Sequence, residues 1–260
     1  KDEANFIDKI SGVEFVVFDK NKTIKSYFDI SKKLKNNSYD ILFIMQVSLR
    51  ANLISLFINS NIKVGYDYQR SSDLHSIFSN KKIKSSSHSH VVDVFLSFLD
   101  ILNIKKNNFI YKWNVPEKIT KRILFEKYLG LKEKYFVLSP CSRSSNRNWI
   151  INRYAEVADY ITDKFGLQCV FSSSSSSYEK NFVNEIMSQM KSKPLNLSGS
   201  TDIHDLLSLI KNSEFLISPD SGPIHLATCV NKPVIGLYGV TNTVRAGPYN
   251  SRELCVDKYN

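Results

Sequence analysis

The stretch that decides the fold runs from residue 215 to residue 238 and reads FLISPDSGPIHLATCVNKPVIGLY. The apolar run Phe215–Ser218 is typical of a buried strand. A polar turn follows it, and Pro223 then suits the first turn of a helix because its missing N–H would have no partner there. A second apolar run, Val234–Tyr238, comes next. The stretch therefore predicts a β-α-β unit, the repeating element of a parallel sheet.

Strand and helix patterns alternate along the whole chain, beginning with an apolar run at Val13–Phe18 that predicts a strand. This alternation predicts an α/β protein with parallel sheets. A chain of 260 residues is long for one domain and suits two. A polar and basic stretch at 104–134 separates the halves, so we place the boundary near residue 125. The predicted domains are residues 1–125 and 126–260.

The turn at Asp220–Pro223 is the first candidate for chemistry, because it joins a predicted strand to a predicted helix. Ser221 or Gly222 can cap this helix. The N–H groups at a helix N-terminus, with the helix dipole, attract anions such as a diphosphate. His225 can point into the same cleft from the first turn. A capped helix without a ligand explains the same residues, and the local pattern leaves both interpretations open.

A second loop, Ser139–Trp149, also lies between a predicted strand and a predicted helix. It carries Arg143 and Arg147, and arginine forks pair well with phosphate oxygens. Taken alone, it could equally be an exposed polar loop. Because parallel strands end at the same edge of their sheet, this loop and the Asp220–Pro223 turn together favour an anion site. The serine run 172–177 fits either a linker or a loop whose backbone approaches a ligand.

Several functional classes lack their motifs. The sequence contains no G-x-G-x-x-G, no G-x-x-x-x-G-K-[ST] and no G-x-S-x-G. No zinc-finger or RNP motif indicates nucleic-acid binding. His88, His90 and Asp93 lack a converging fourth ligand, so we expect no metal site. No apolar run is long enough to span a membrane, and the four cysteines show no zinc or disulfide pattern, which favours a reducing compartment.

Positive charge is concentrated in the first half. The formal net charge is +10, and residues 1–127 hold 21 Lys+Arg against 13 Asp+Glu. A basic surface attracts phosphates of nucleic acids, lipid head groups or phosphorylated glycolipids. A lysine-rich genome bias would give the same excess without a function, and composition does not separate the two.

Residues 218–239 with Thr241 resemble the signature of the ADP-heptose:lipopolysaccharide heptosyltransferases, D-[ST]-G-x-x-H followed by a Pro-containing turn and a G-x-T strand end. The loop Ser139–Trp149 is similar to that family's donor loop, and its Asn-x-Asn-Trp edge resembles the heptosyltransferase I-like branch. In the first half, Gln46–Ala51 and Gly65–Asp67 resemble the acceptor domain. The likeness extends over nearly the whole chain.

The resemblance implies a GT-B fold, in which two Rossmann-like domains face each other across a cleft. It implies an inverting, metal-independent transfer of heptose from ADP-heptose to the lipopolysaccharide inner core. The ADP-sugar is then a co-substrate bound by the C-terminal domain, and no cofactor is implied. The N-terminal domain would bind a phosphorylated lipid acceptor, so we expect a cytoplasmic protein, peripheral to the inner membrane, that binds no nucleic acid.

The resemblance also assigns residues. On the donor side they are Ser142, Arg147, Glu179, Thr201, Asp220, Ser221, Gly222 and His225, and on the acceptor side Gln46, Arg50 and Arg70. Arg147 stands where family members often have Lys, and with the helix end at Ser221–Pro223 it would offset the charge that grows on the leaving diphosphate.

The chain departs from the family pattern in three places. The family's presumed catalytic Asp belongs to a Gly-Asp turn that we expect upstream of Lys1, so no catalytic residue is assigned. The family's last helix is expected beyond Asn260, and the serine run 172–177 stands where many members have Gly-Gly. Two alternatives stay open: a related glycosyltransferase with another nucleotide-sugar donor or acceptor, and a non-catalytic nucleotide-sugar-binding protein.

Overall fold

The computed structural model describes residues 12–19, 21, 23–72, 74–85, 90–104 and 119–259. The described residues form two compact units, the first within residues 11–109 and the second within residues 110–260. Each unit contains its own parallel β-sheet. The α/β class expected from the sequence is thus present in both halves of the chain.

The first unit is built on a three-stranded parallel sheet in the order β1-β2-β3. Its strands are β1 (Ser38–Phe43), β2 (Asn59–Gly65) and β3 (Lys81–Lys82), and its helices are α1 (Thr23–Leu34), α2 (Leu49–Ser55) and α3 (Val91–Leu96), which continues as a 3-10 helix over Ser97–Leu102. Val64, Tyr66, Ile83 and Phe98 form its buried apolar cluster.

The strand predicted at Val13–Phe18 is wrong. The segment joins neither sheet, and Val13 and Val17 are exposed. A strand requires a neighbour to complete its hydrogen bonds, whereas here the side of the segment that is partly covered packs on a helix. The ring of Phe18 meets Tyr27 of α1 at a centroid distance of 5.0 Å. The apolar run therefore marks a helix contact.

The second unit is built on a six-stranded parallel sheet in the order β6-β5-β4-β7-β8-β9. Its strands are β4 (Tyr135–Leu138), β5 (Gln168–Phe171), β6 (Leu195–Asn196), β7 (Leu216–Pro219), β8 (Val234–Tyr238) and β9 (Val256–Asp257), and its helices are α4 (Lys121–Lys127), α5 (Ile151–Phe165), α6 (Ser177–Ser188), α7 (Ile203–Asn212), α8 (Gly222–Cys229) and α9 (Thr243–Ala246). The predicted β-α-β unit is confirmed as β7-α8-β8, with Leu216 opposite Val234.

The second sheet is apolar on both faces because helices cover both. Along β4 the residues alternate between two buried clusters, with Tyr135 and Val137 in one and Phe136 and Leu138 in the other. This is the two-residue period of a strand. A strand buried on both faces appears in sequence as a continuous apolar run, which is why β4 was recognisable in advance.

The order of the strands fixes where a ligand can bind. From β4 the chain moves outward through β5 and β6, then returns to β7 on the other side of β4 and continues through β8 and β9. Loops that leave β4 and β7 therefore diverge at a topological switch point, and in open parallel sheets ligands bind at the carboxyl ends of the strands there. These two loops are the ones singled out from the sequence.

Helix α4 belongs to the second unit. Leu124 is fully buried in the same cluster as Tyr135, and Tyr128, just after the helix, joins them. The boundary predicted near residue 125 falls within this helix, whereas the division of the chain into units lies before it, between residues 109 and 110. The polar stretch 104–134 concealed the helix because only one of its faces is apolar. The roles predicted for the two domains stay predictions.

No helix in the described ranges has both the length and the apolar character needed to cross a bilayer.

Substitution of Leu124 by Ala should lower the free energy of unfolding by about 2–5 kcal/mol, because it opens a cavity in a packed core. The neighbouring substitution Ile123→Ala removes a side chain that is 41% exposed and should change stability by about 0.5 kcal/mol or less. Urea unfolding followed by tryptophan fluorescence measures both. Equal effects of the two variants would contradict the packing of α4 on this core.

Candidate nucleotide-binding site

A cleft of about 1020 Å³ opens at the carboxyl end of the sheet in the second unit. Loops that follow β4, β5, β6 and β7 form its walls. Its lining residues are Ser139, Cys141, Arg143, Ser172, Ser173, Ser174, Ser175, Glu179, Thr201, Asp202, Ile203, His204, Leu206, Ser221, Gly222, Pro223 and Leu226. Four residues predicted from the sequence are among them: Glu179, Thr201, Ser221 and Gly222.

The N-terminus of α8 opens into this cleft. Ser221 stands at the N-cap position, but its side chain makes no cap hydrogen bond to the helix. Its Oγ lies instead 2.8 Å from Ser218 Oγ, and the Ser218 hydroxyl donates to the Ser139 carbonyl at 2.9 Å. Among the described residues no side chain therefore caps this helix end, and a Cβ added at Gly222 would meet only open space. This end of the helix can receive an anion.

Arg147 and Asp220 join the two loops predicted from the sequence. Arg147 Nη1 lies 2.9 Å from Asp220 Oδ2 and 3.5 Å from the Asp220 carbonyl oxygen. The Ser142 hydroxyl donates to that same carbonyl at 3.0 Å, and the Ser142 N–H donates to Asn148 Oδ1 at 2.8 Å. Asp220 is buried, whereas Arg147 is about one-third exposed. The pair thus holds a guanidinium beside the start of α8.

His225 lies on the first turn of α8 but does not line the cleft. Its side chain is exposed, yet the protein atoms packed around it lower the pKa of the imidazole, while the carboxylate of Asp220 acts in the opposite direction. The ring is therefore mainly neutral at pH 7 and can accept or donate a hydrogen bond.

The serine run forms part of the cleft wall and is not a linker. Its Ser174 N–H donates to Glu179 Oε2 at 2.7 Å, and Ser176 Oγ accepts the Glu179 N–H at 3.3 Å. The Ser173 carbonyl accepts the Gly199 N–H at 2.9 Å. Gly199 has φ +72°, and a Cβ there would lie 2.9 Å from Ser175 Cα. Only glycine suits that contact, so the loops after β5 and β6 pack closely.

The cleft also has apolar lining residues, which come from the starts of α7 and α8: Ile203, Leu206, Pro223 and Leu226. Sequence reasoning missed three of these four residues, as well as Cys141 and His204. A signal for them existed: Leu226 follows Gly222 by one helical turn, and Ile203 and Leu206 lie three apart just after Asp202, a residue type that favours the N-cap position. Apolar residues in the first turn of such a helix lie on one face, next to the carboxyl ends of the strands.

The family follows from comparison with known proteins. The family model of glycosyltransferase family 9 (heptosyltransferase) matches residues 27–260. The chain belongs to glycosyltransferase family 9. It is therefore a glycosyltransferase, as the sequence predicted.

Two curated relatives of the chain carry the names of lipopolysaccharide heptosyltransferases. The chain is similar to the lipopolysaccharide core heptosyltransferase OpsX of Haemophilus influenzae, with 32% identity over 259 residues that cover 100% of this chain and 74% of the relative. It is similar to the lipopolysaccharide heptosyltransferase 3 of Escherichia coli K12, with 28% identity over 95% of this chain and 71% of the relative.

Solved structures of glycosyltransferase family 9 share the fold. The family 9 glycosyl transferase of Veillonella parvula superposes with a TM-score of 0.77 at 19% identity, over 97% of this chain and 74% of that one. The Escherichia coli heptosyltransferase WaaC with ADP gives a TM-score of 0.68 at 17% identity, over 92% of this chain and 72% of that one. The prediction of two Rossmann-like α/β domains of GT-B type is confirmed.

The acceptor-side candidates of this family 9 chain lie in the first unit, at the carboxyl ends of neighbouring strands. Gln46 and Arg50 flank the start of α2, beyond the end of β1, and both are exposed. Arg70 lies beyond β2, with its Nε 3.1 Å from the Oδ2 of the buried Asp67. The structure thus brings the three to one sheet edge. Their role in binding an acceptor stays a prediction.

A buried histidine, which sequence reasoning missed, supports the turn that carries Arg70. His75 Nε2 accepts the Tyr66 N–H at 3.0 Å, and His75 Nδ1 lies 2.8 Å from Asn52 Oδ1. A ring that accepts at Nε2 must carry its proton on Nδ1, so the imidazole is neutral. Burial lowers the pKa of His75, and the positive charge of Lys82 lowers it further. A Cβ at Gly65 would lie 2.7 Å from Nε2, so glycine is required there.

Metal ligation has no support in the part of the chain that the structure describes, where no group of His, Cys, Asp and Glu could hold a metal ion. Of the three residues considered from the sequence, His88 lies outside the described residues. Metal-independent catalysis therefore stays a prediction.

The lowered pKa of His75 should make stability depend on pH. Because the folded-state pKa lies below the ordinary value of 6.5, the unfolded chain binds more protons in the interval between the two values. The stabilisation from neutral His75 is complete above about pH 6.5 and is lost as the pH falls through the folded-state value. Urea unfolding at about pH 5 and pH 7 measures it, and His75→Gln should be less stable but should show a smaller difference between the two pH values. An unchanged difference in that variant would refute the assignment.

Proposed function

We propose that this family 9 glycosyltransferase transfers heptose from ADP-heptose to the inner core of lipopolysaccharide, with the cleft of the second unit as its donor site. One observation carries the proposal: the uncapped N-terminus of α8 opens into the cleft while Asp220 holds Arg147 beside it. A helix N-terminus and a guanidinium fork are both suited to phosphate oxygens. The curated relatives, which carry lipopolysaccharide heptosyltransferase names, support the same reaction.

The rest of the cleft suits the nucleoside. Its apolar lining residues can cover a planar base, and the backbone at Thr201 offers polar groups beside them. One carboxylate oxygen of Glu179 accepts the Ser174 N–H. The other oxygen can accept a hydrogen bond from a ribose hydroxyl. The solved WaaC structure contains ADP, which supports an adenine nucleotide here.

Asp220 has a role different from that of a direct diphosphate ligand. A free carboxylate would repel a diphosphate, but Asp220 is buried and ion-paired with Arg147 at 2.9 Å. It therefore orients the guanidinium. During transfer, negative charge grows on the leaving diphosphate, and fixed positive charge at that point stabilises the transition state. Arg147 and the helix dipole of α8 supply that charge without a metal ion.

The reaction that fits these groups is a single displacement. A base removes the proton from an acceptor hydroxyl, the oxygen forms a bond to the anomeric carbon, and the bond from that carbon to the diphosphate oxygen breaks. Attack on the side opposite the leaving group inverts the configuration. The base is not assigned to a residue of this chain.

The acceptor is proposed to be a phosphorylated glycolipid at the inner face of the cytoplasmic membrane. Ile24 and Phe28 are exposed on α1, where Lys25, Lys32 and Lys33 are exposed as well. Apolar side chains with surrounding lysines suit an anionic lipid surface. Co-sedimentation with vesicles of phosphatidylglycerol and phosphatidylethanolamine tests this, and absence of binding at low salt would overturn it.

Isothermal titration with ADP tests the donor site. Arg147→Ala should weaken binding roughly ten- to hundredfold, the loss expected for charge-assisted hydrogen bonds. Asp220→Asn should also weaken ADP binding, because Arg147 loses its orientation. Arg153→Ala, which removes an exposed arginine paired with Glu156 on α5, is the matched control and should leave ADP binding unchanged. Tighter binding by Asp220→Asn would show that this carboxylate repels the nucleotide and would contradict its positioning role.

A turnover assay distinguishes a protein that transfers the sugar from one that only binds the nucleotide sugar. With a heptose-deficient lipopolysaccharide acceptor, ADP-heptose should be consumed faster than UDP- or GDP-sugars. Faster use of another nucleotide sugar would indicate a related transferase, and ADP binding without transfer would indicate a non-catalytic binding protein.

A further inference from the structure

The residues Thr201, Asp202 and Ile203 line the cleft at the start of α7. Two aspartates fix the start of that helix. Asp202 Oδ1 accepts the N–H groups of His204 and Asp205, each at 2.8 Å. Asp205 Oδ2 in turn accepts the Asp202 N–H at 3.1 Å. This reciprocal capping box makes the cleft lining at the start of α7 rigid.

Asp205 is also held from the side of α4. It is 1% exposed, and its Oδ2 lies 2.6 Å from Lys127 Nζ and 2.9 Å from the Tyr128 hydroxyl. Burial acts to raise the pKa of Asp205, but the hydrogen bonds from Lys127, the Asp202 N–H and Tyr128 outweigh it, so the pKa is lowered. The carboxylate is ionised at neutral pH, so it can accept hydrogen bonds from Lys127 and the Asp202 N–H, and Tyr128 is a third donor within reach.

The Tyr128 hydroxyl also contacts the residue that directly precedes Thr201. It lies 2.9 Å from the carbonyl oxygen of Ser200, so its one proton can serve Ser200 or Asp205. Thr201 therefore sits between two anchored neighbours, Ser200 on one side and Asp202 on the other. Both anchors involve Tyr128 and Asp205, which are buried and do not line the cleft.

We infer that Asp205, with Lys127 and Tyr128, is a positioning residue for the nucleotide end of the donor cleft. Its function is to hold the backbone at Thr201 in the conformation that a bound nucleoside requires. Binding then costs little conformational entropy. The inference rests on the proposed function, namely that this cleft binds a nucleotide. It adds residues that act on the ligand only through the wall they support.

Two tyrosines of the second unit provide a matched test. Tyr135 is also buried, and its hydroxyl donates to the Leu209 carbonyl at 2.7 Å, further along the same helix α7 and outside the cleft lining. Tyr128→Phe and Tyr135→Phe each delete one phenolic hydroxyl and keep the ring. Both should lower the Tm by roughly 2–4 °C.

Of the two substitutions, only Tyr128→Phe should weaken nucleotide binding. Its Kd for ADP should rise about five- to tenfold, whereas Tyr135→Phe should retain the wild-type Kd. In the transfer assay, Tyr128→Phe should raise KM for the donor with little change in kcat. Asp205→Asn should weaken ADP binding at least as much, since it removes the charge that organises the group.

The outcomes are distinguishable. If the wild-type protein binds ADP and both tyrosine variants bind it equally well, the positioning role is overturned and the proposed function stands. If both variants weaken binding equally, the effect is one of general stability, and the positioning role is again overturned. If the wild-type protein binds no ADP, both the proposed function and the inference fail.

Discussion

The pairing of β4 with β7 is the constraint on which the candidate site depends. Val137 and Leu138 lie opposite Leu216 and Ile217, so strands almost 80 residues apart in sequence end side by side. Beyond the strands the two loops are joined in turn: Ser218 donates to the Ser139 carbonyl, and Ser142 and Arg147 both contact Asp220. Were β7 elsewhere in the sheet, the guanidinium and the helix end would not meet.

Two buried carboxylates hold segments next to the cleft in place. Asp220 is paired with Arg147 near the start of α8, and Asp205 is paired with Lys127 behind the start of α7. Removing the basic partner is costly, because it leaves a buried carboxylate without a compensating charge. Each carboxylate therefore fixes the position of its surroundings. The groups offered to a ligand include backbone N–H groups, serine hydroxyls, the guanidinium of Arg143 and the carboxylate of Glu179.

Sequence reasoning reached the features that depend on local patterns. The β7-α8-β8 unit and the approach of the Ser139–Trp149 loop to the Asp220 turn follow from periodicity and the geometry of parallel sheets. These rules involve residues close in sequence or strand ends that share one edge.

The features that were missed depend on partners distant in sequence. Tyr128 meets Asp205 across 77 residues, and no spacing rule predicts such a pair. Helix α4 was concealed in a polar stretch, and the apolar run Val13–Phe18 indicated burial without revealing that its neighbour is a helix. His75 bonds to Asn52, 23 residues away, and a single histidine carries no signal of that kind. In each case the sequence shows whether a residue is apolar or polar, but its contact partner depends on the fold.

A crystal structure of the protein with ADP is the most direct test of the central claim, that the N-terminus of α8 and Arg147 together bind a nucleotide diphosphate. The account predicts phosphate oxygens within hydrogen-bond distance of the Gly222 N–H and the Arg147 guanidinium, with the base against Ile203 and Leu206. ADP bound outside this cleft, or a diphosphate that contacts neither α8 nor Arg147, would contradict it.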